Sequence, residues 1–519
     1  MSRQTQMSTR SKREQPLRTY LPAAISGLLL LASFPTFDLF PLAWIALVPL
    51  MLSLWDKSPR AAFFSGMVTG TLYFFGTLYW IYHSITHYGS VPFVISVILV
   101  LLLSLYLGLY VGLFALVFSL KIRHTRLPAL ILAPVFWVTL EFIRSYALTG
   151  FPWASIGYSQ YRFLYGIQYA DITGVYGVSF LVLAVNSAIA DFFILKRRRA
   201  EMPLYSVSYT FVSYAVFLLL LLTLFSYSYW RIQQQRPGNP VRVSIIQGNI
   251  EQDKKWEVGY QDEVMRIYKE LTTKAVASNP SLVIWPETSV PFYFGYDTAR
   301  SRDLVEFQRN MDTYLLFGSV MVKSPPAKGQ PAQLTNSAVL LDPEGNISYV
   351  YDKIHLVPFG EYVPLRSIFF FLDKLVAGIG DYESGKRAIK AHTRIGSFGT
   401  FICYEIIFPG LVRKCFSKDG DFMVTITNDA WFGRTSGPFQ HFSMAVFRAI
   451  ENRKPVLRAA NTGISGYIDS NGRVLLSTSL FERREETVEM TTDSSRSFYS
   501  KYGDIFSYVC IVVSLLLLI

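Results

Sequence analysis

The chain has 519 residues, 51% hydrophobic and 17% charged, with a formal net charge of +12 and only three cysteines. So few cysteines exclude a scaffold stapled by disulfides. The segments 1–18, 56–60, 121–126 and 196–199 hold fourteen Lys or Arg against two acidic residues, so they account for the whole net charge. The charge therefore does not indicate nucleic-acid binding, which needs basic residues clustered on one exposed face.

Long apolar runs dominate the first 230 residues. They lie near residues 20–36, 38–55, 61–82, 91–120, 127–146, 168–195 and 208–229, and a last one closes the chain at 503–519. A helix that crosses a bilayer needs about 17 to 25 such residues. Pro35 and Pro41 break the first two runs, so either two spans or a re-entrant hairpin fits them. The sequence predicts about eight transmembrane helices.

The basic segments alternate along these predicted spans. Lys and Arg in short loops stay on the cytoplasmic side, and the loops near 83–90 and 147–167 carry only Arg162. We therefore predict a cytoplasmic amino terminus and an extracytoplasmic domain after residue 230. The predicted parts are a basic tail at 1–18, seven spans within 19–230, a catalytic domain at 240–490 and a final span at 503–519.

Three polar residues follow apolar, strand-like runs in this later domain. Glu287 ends Val-Ile-Trp-Pro-Glu, Lys353 ends Tyr-Asp-Lys, and Cys403 ends Phe-Ile-Cys. Acyl chemistry on a thiol needs a base, a nucleophile and a cation that stabilises the oxyanion. We expect Glu287 as base, Lys353 as cation, and the Tyr404 backbone N–H as a second oxyanion donor. Taken singly, each residue type is more often structural.

In this order the motifs resemble the nitrilase superfamily, over residues 240–490. Val241–Asn249 resembles its first strand, and Thr427–Gly433 a later strand end. The resemblance implies an α-β-β-α sandwich with a Glu-Lys-Cys triad and an acyl-cysteine intermediate. Strand patterns that alternate with amphipathic stretches independently favour an α/β domain.

With the apolar first half included, nearly the whole chain resembles the bacterial apolipoprotein N-acyltransferase family. The stretches that carry this likeness are Glu141–Arg144, Leu148–Trp153, Tyr351–Tyr362 and Ile402–Ile407. The resemblance implies an acyl donor phospholipid, typically phosphatidylethanolamine. The acceptor would be the α-amino group of the S-diacylglyceryl cysteine that begins an apolipoprotein. It also implies a ping-pong reaction through a thioester on Cys403, in a bacterial inner membrane with the catalytic domain in the periplasm.

Aromatic side chains beside the motifs are candidates for a water-excluding wall. Trp256, Tyr404 and Trp431 have this role by resemblance, and Phe359 is a further candidate; core packing is the alternative for Phe359 and Trp431. We expect no metal, cofactor or nucleic acid, since no Gly-rich phosphate loop or metal cluster is present in the sequence. We expect a monomer.

Polar residues near the motifs are candidates for supporting roles. By resemblance, Glu361 and Glu405 orient Lys353 and the cysteine turn. Asn336, Asn428 and Asn461 lie near strand ends and are weaker candidates. The apolar stretch 365–380 fits either an interfacial lid or a packed helix.

Some charged and titratable residues lie outside the triad motifs. Glu141 and Arg144 stand three residues apart in a predicted span, where an ion pair and a phospholipid head-group site are both open. His83 and His87 have a zinc-compatible spacing but no third ligand, so we expect loop histidines. Cys415 is expected to be a free structural thiol.

Two other classes of function remain open from the sequence. A membrane-tethered amidase or nitrilase would hydrolyse a small extracytoplasmic amide. A transporter with an inactive nitrilase-like sensor would need charges at the centre of discontinuous helices. The charged residues instead lie near the ends of the predicted spans.

Overall fold

The computed structural model describes residues 19–125, 127–201, 207–234, 238–257, 259–326, 332–362 and 382–519. The chain forms two compact units. The first comprises residues up to 82, 93–230 and 504–519, and the second comprises 83–92 and 231–503. The second unit therefore includes a short segment that the sequence places between two apolar helices.

In chain order, the helices of the described residues are α1 (Thr19–Ala32), α2 (Val48–Leu54), α3 (Pro59–Thr77), α4 (Ile81–His87), α5 (Phe93–His124), α6 (Ala129–Arg144), α7 (Ala170–Thr173), α8 (Val175–Glu201), α9 (Val207–Gln233), α10 (Gln261–Val276), α11 (Thr298–Arg309), α12 (Pro409–Phe416), α13 (Gly437–Asn452), α14 (Phe498–Tyr502) and α15 (Ile505–Leu518).

Three helices in the described part of the chain are long and apolar enough to cross a membrane. They are Phe93–His124, Val175–Ile194 and Phe211–Gln233. The pair α3 and α4, bent by 55°, makes a fourth if it is one span. Shorter apolar helical segments are Thr19–Ala32, Phe40–Leu54 and Ile505–Leu518. The second of these consists of a 3-10 helix, Phe40–Trp44, followed by α2. The first unit therefore has the character of a membrane domain, while the number of about eight spans stays a prediction.

Helices α3 and α5 pack closely in the first unit because glycines face each other. A Cβ on Gly70 would lie 2.8 Å from the Cα of Gly108, closer than carbon atoms can approach. Apolar side chains gain little from leaving lipid for another helix, because lipid is equally apolar. Small residues instead let two helices approach closely and gain dispersion contacts. A side chain larger than hydrogen at either position would push these helices apart.

Buried charges organise the segment after α6. Glu141 accepts a hydrogen bond from the Ile156 N–H at 2.9 Å. The Arg144 guanidinium donates to the Trp153 carbonyl at 2.7 Å and to the Ser155 hydroxyl at 3.1 Å. Both side chains thus satisfy backbone and side-chain groups within the unit, which favours their structural interpretation over head-group binding.

The second unit contains two six-stranded sheets. Its strands are β1 (Pro240–Gln247), β2 (Leu282–Ile284), β3 (Tyr314–Ser324), β4 (Gln333–Leu341), β5 (Ile347–Asp352), β6 (Lys390–Thr393), β7 (Gly396–Ile402), β8 (Phe422–Thr427), β9 (Val456–Ala460), β10 (Gly466–Ile468), β11 (Val474–Ser477) and β12 (Arg484–Thr491). The sheet orders are β12-β1-β2-β3-β4-β5 and β11-β10-β9-β8-β7-β6. Strands β1, β2 and β3 run parallel, as do β7, β8 and β9, and the remaining pairs are antiparallel.

The two sheets pack face to face over one apolar core. Ile245 and Ile284 of the first sheet share a buried cluster with Ile402 and Ile426 of the second. Side chains alternate along a strand, so Val283 faces the opposite way and packs with helix α10 in a second buried cluster. Helix α13 covers the second sheet at β9 and β10. The expected α/β domain is therefore confirmed, with helices outside both sheets.

The strand ends position the polar motifs. Glu287 lies three residues after β2, Lys353 directly follows β5, and Cys403 directly follows β7. Asn428 directly follows β8, the parallel neighbour of β7. Parallel neighbours end at the same edge of a sheet, where loops hold side chains on a rigid base.

Candidate active site

Glu287 and Lys353 meet in a buried polar cluster. The Lys353 Nζ lies 3.3 Å from the Glu287 Oε1 and 2.9 Å from the Glu361 Oε1. The Asn336 Nδ2 donates to the same two oxygens, at 2.7 and 3.0 Å. The structure thus brings together the expected base and cation, and it adds Glu361 and Asn336 as their direct partners.

The charge on Lys353 is fixed by these carboxylates. Burial alone would lower the pKa of Lys353, but Glu361 and Glu287 outweigh it and hold this pKa well above its usual value. Lys353 therefore stays an ammonium ion and cannot act as a proton acceptor. Its available chemistry is electrostatic, namely to stabilise an anion that forms beside it.

Cys403 stands at a sharp turn between strand β7 and a 3-10 helix, Cys403–Ile407. Its φ angle is +53°, in the left-handed region that non-glycine residues rarely adopt. Such outliers are common at functional sites, where the surrounding structure has to enforce them. The N–H of Tyr404 belongs to the first turn of this helix, where amides lack helical acceptors and can serve an anion.

The Cys403 thiol is buried, with 6% of the residue exposed. Burial and then the Glu287 carboxylate raise the pKa of Cys403, against the opposing influence of Lys353. The thiol is therefore neutral at pH 7 and needs a base to become a nucleophile. Because Glu287 and Lys353 both act on this thiol, the three triad candidates share one electrostatic environment.

Glu405 fastens the cysteine turn to the segment that carries Lys353. One carboxyl oxygen accepts hydrogen bonds from the Tyr351 hydroxyl at 2.8 Å and from the backbone N–H groups of Ile354 and His355 at 2.7 and 3.1 Å. The other accepts from the Ile402 N–H at 2.7 Å. Burial raises the pKa of Glu405 to about 7. This fully buried side chain thus connects two turns that carry triad candidates.

The aromatic candidates lie in different surroundings. Tyr404 is buried, and its ring packs edge-on against Phe408 at a centroid distance of 5.1 Å. Trp256 is half-buried, 6.3 Å from the Tyr293 ring. Phe359 is 46% exposed, so core packing does not describe it.

Trp431 is held by residues 83–92, the short segment from the first half of the chain. The Tyr88 ring meets the Trp431 ring edge-on at 4.6 Å, and the Ser84 hydroxyl donates to the Trp431 carbonyl at 2.7 Å. The Tyr88 hydroxyl also donates to the Ala430 carbonyl at 3.1 Å. The loop after β8 is therefore braced by this segment within the second unit.

Several site contacts involve residues whose signal in the sequence is weak. Asn336 is a weak candidate by sequence, yet it bridges two carboxylates. Lys255, fully buried, donates to the Glu287 carbonyl at 3.1 Å and to the Thr288 hydroxyl at 2.6 Å. Burial lowers the pKa of Lys255 to about 7. No local feature of the sequence indicates that this lysine is buried.

The other sequence predictions concern a lid, two histidines, a metal site and the thiols. The proposed lid at 365–380 lies outside the described residues. His83 and His87 are stacked at 4.1 Å on the short helix α4 and not in a loop. Among the described residues no group of His, Cys, Asp and Glu is arranged to hold a metal ion. Cys403, Cys415 and Cys510 are all free thiols.

The two-sheet topology, with Glu287, Lys353 and Cys403 at its strand ends, is that of the carbon-nitrogen hydrolase class. Residues 242–497 match the carbon-nitrogen hydrolase family, and residues 26–188 match the family described as apolipoprotein N-acyltransferase N-terminal domain. A solved carbon-nitrogen hydrolase from Helicobacter pylori matches 48% of this chain and 89% of its own, with 16% identity and a TM-score of 0.38.

Curated relatives cover almost the entire chain. The apolipoprotein N-acyltransferase of Geobacter metallireducens is 43% identical over 497 residues, which are 96% of this chain and 94% of that protein. The enzyme of the same name from Haemophilus ducreyi is 32% identical, covering 93% of this chain and 94% of its own. The chain therefore belongs to the apolipoprotein N-acyltransferase family.

Proposed function

We propose that this protein transfers a fatty acyl chain from a membrane phospholipid to the α-amino group of the S-diacylglyceryl cysteine of apolipoproteins. The buried Glu287–Lys353 pair, which acts electrostatically on Cys403, is the observation that carries the proposal. Membership of the family supplies the class of reaction. Phosphatidylethanolamine is the proposed donor, and the enzyme acts as a monomer.

In the first half-reaction Glu287 takes the proton from the Cys403 thiol, whose pKa is too high for spontaneous ionisation. The sulfur attacks the ester carbonyl carbon, so a C–S bond forms while the negative charge moves to oxygen. Lys353 and the Tyr404 N–H stabilise this oxyanion. The C–O bond then breaks, Glu287 returns the proton to the leaving oxygen, and a lysophospholipid departs.

In the second half-reaction the α-amino group of the acceptor attacks the thioester. Glu287 takes a proton from the attacking nitrogen, the C–S bond breaks, and the sulfur of Cys403 regains a proton. The products are an amide on the acceptor and the free enzyme. Water must be kept away from the thioester meanwhile, for which we propose the aromatic wall of Trp256, Tyr404 and Trp431.

Glu361 and Glu405 have orienting roles in this proposal. Glu361 shares Lys353 with Glu287 and receives a further hydrogen bond from the Val357 N–H at 2.8 Å. Glu405 ties the cysteine turn to the lysine segment through its four hydrogen bonds. Both carboxylates thereby set where the cation stands relative to the thiol.

We further propose about eight spans, a cytoplasmic amino terminus and a periplasmic catalytic domain in a bacterial inner membrane. The alternation of basic and uncharged loops supports this orientation. Both lipid substrates are anchored in the bilayer, and moving their chains into water would cost about 0.8 kcal/mol per exposed CH₂. An enzyme held in the same leaflet avoids that cost.

The deciding experiment compares the wild-type protein with Cys403→Ala in phospholipid vesicles containing a diacylglyceryl peptide. We expect an acyl adduct on Cys403 of the wild type when donor alone is present, and N-acylated peptide once acceptor is added. Neither should form with the variant, while Cys415→Ala should behave as wild type. Acylated peptide from Cys403→Ala would refute the mechanism, and hydrolysis of a small amide without any acyl adduct would favour the tethered amidase.

A further inference from the structure

The backbone carbonyl of Cys403 is held by a side chain that the proposed mechanism does not use. The Nε2 of His441, which is fully buried in helix α13, lies 3.1 Å from this carbonyl oxygen. Because a carbonyl can only accept, the Nε2 of His441 carries a proton and donates it. This hydrogen bond therefore constrains the backbone of Cys403, whose φ angle of +53° lies in the left-handed region.

His441 is itself fixed by two buried partners. Its Nδ1 lies 3.0 Å from the Asp429 Oδ1 and 3.0 Å from the Arg458 Nη2. The same Arg458 nitrogen donates to the Asp429 Oδ2 at 2.8 Å. All three side chains are fully or almost fully buried. The ion pair of Asp429 and Arg458 therefore fixes the orientation of the imidazole ring toward Cys403.

The proton on Nε2 is the one that the Cys403 carbonyl requires. Nδ1 lies beside two groups of opposite character, because the Asp429 carboxylate accepts hydrogen bonds and the Arg458 guanidinium donates them. Burial and then Arg458 lower the pKa of His441, against the opposing influence of Asp429. Whichever of these two groups Nδ1 bonds, the proton on Nε2 can hold the Cys403 carbonyl.

The network also connects the nucleophile with the base. Asp429 directly follows Asn428, whose backbone N–H donates to the Glu287 Oε2 at 2.9 Å. The Thr427 hydroxyl donates to the Asp429 Oδ1 at 2.9 Å. The residues just after strand β8 thus include both Asp429, which bonds His441, and Asn428, whose N–H donates to Glu287.

We infer that His441 is a positioning residue, which holds the Cys403 carbonyl and so keeps the cysteine in the left-handed conformation at the end of β7. The inference rests on the proposed role of Cys403 as nucleophile. His441 touches no reacting atom. Its bond counteracts the tendency of a non-glycine residue to leave this conformation, and loss of the bond would let the thiol drift from Glu287 and Lys353.

Two amide replacements separate this role from simple packing. In His441→Gln the side-chain amide nitrogen reaches the former position of Nε2 and can still donate to the carbonyl. In His441→Asn the shorter side chain reaches only the former position of Nδ1, so the carbonyl loses its donor. Val446→Ala, a buried position on the same helix, serves as a control for loss of packing alone.

Alkylation of Cys403 by iodoacetamide, read by mass spectrometry of its peptide, is the first measurement. It needs no lipid, so it reports on the thiol even if the proposed acyl transfer is wrong. The second is the single-turnover rate of thioester formation from phospholipid, and thermal unfolding gives the stability of each variant. Together they distinguish a positioning effect from general destabilisation.

We expect His441→Asn to slow thioester formation by about 10- to 100-fold, the effect of losing one hydrogen bond to a buried acceptor. His441→Gln should form the thioester at a rate within about threefold of wild type. The dependence of its Cys403 alkylation rate on pH should match wild type. Equal losses in the Gln and Asn variants, or a loss in His441→Asn no larger than in Val446→Ala, would overturn the inference. If His441→Asn does not fold, a tenfold loss in a stable His441→Gln protein would overturn it.

Discussion

Replacement of Lys353 by methionine tests the electrostatic logic of the buried cluster. The variant keeps the Glu287 and Glu361 carboxylates but removes the cation that bonds both of them. Breaking a buried ion pair by removing one partner typically costs about 3 to 5 kcal/mol, because a charge is left uncompensated. We expect Lys353→Met to be inactive and also clearly less stable than wild type.

A second substitution should restore stability without restoring activity. The two carboxylate oxygens bond the same Asn336 nitrogen at 2.7 and 3.0 Å, so they are at most about 5.7 Å apart. At an effective dielectric constant of about 20, two unit charges at that distance repel by about 3 kcal/mol. Lys353→Met combined with Glu361→Gln removes this repulsion and should recover about that amount of stability.

Thermal unfolding of the purified variants in detergent measures this recovery. A change of 3 kcal/mol in a domain of this size corresponds to about 6–12 °C in Tm. As a matched control, Lys353→Met combined with Glu489→Gln removes an exposed carboxylate and should not differ from Lys353→Met alone. Acyl transfer should be absent from all three proteins.

Equal unfolding temperatures of Lys353→Met with Glu361→Gln and of Lys353→Met alone would refute the predicted repulsion between the two carboxylates. Such a result would mean that water screens the two carboxylates from each other in Lys353→Met, or that a bound cation neutralises them. Recovery of activity in the double variant would equally contradict the role of Lys353 as the oxyanion-stabilising cation.

The same contacts support three further predictions. Burial raises the pKa of Cys403, so its alkylation rate should keep rising with pH beyond the value of about 8.5 that is usual for cysteine; a plateau below pH 8 would contradict this. Glu405→Gln places an amide donor against backbone donors and should cost about 1–3 kcal/mol in unfolding free energy, measurable by thermal unfolding, and a Tm equal to wild type would show that those bonds are unimportant. Tyr88→Ala removes the edge-on contact with Trp431, worth about 1 kcal/mol, so hydrolysis of the thioester should rise about fivefold relative to acyl transfer, with Tyr88→Phe as the milder control.

The triad candidates were recognisable in the sequence because each follows an apolar strand. Glu287, Lys353 and Cys403 come after β2, β5 and β7, and strands of a layered α/β domain deliver their following residues to shared edges. The sequence also indicated the order of the residues. It carried less information about Asn336, which lies within strand β4 and whose amide could have faced either side of the sheet.

The contacts of His441 and Lys255 could not be predicted from the sequence. His441 lies 38 positions from Cys403 in the second turn of a helix, where a polar residue is ordinary. Only the packing of α13 against the cysteine turn brings the two together. Lys255 lies in an irregular segment, and a lysine in a loop is normally solvated, so nothing local shows that this ammonium group is buried.

The bounds of the helices in the apolar first half were harder to predict than those of the strands in the catalytic domain. The runs near 20–36 and 38–55 give helices of modest length because prolines interrupt them. Hydropathy measures how apolar a run is, but proline fixes the backbone and removes a donor, which decides where a helix begins or ends. The number of spans therefore depends on features that a hydropathy window averages out.

The bracing of Trp431 by residues 83–92 has a consequence for the order in which the protein assembles. Ser84 leaves the ribosome 347 residues before the tryptophan whose carbonyl it will bind. Its segment lies in the sequence between the apolar helices α3 and α5. A truncated chain that starts at residue 231 would lack this brace altogether. The loop after β8 therefore gains these contacts only in a chain that also contains residues 83–92.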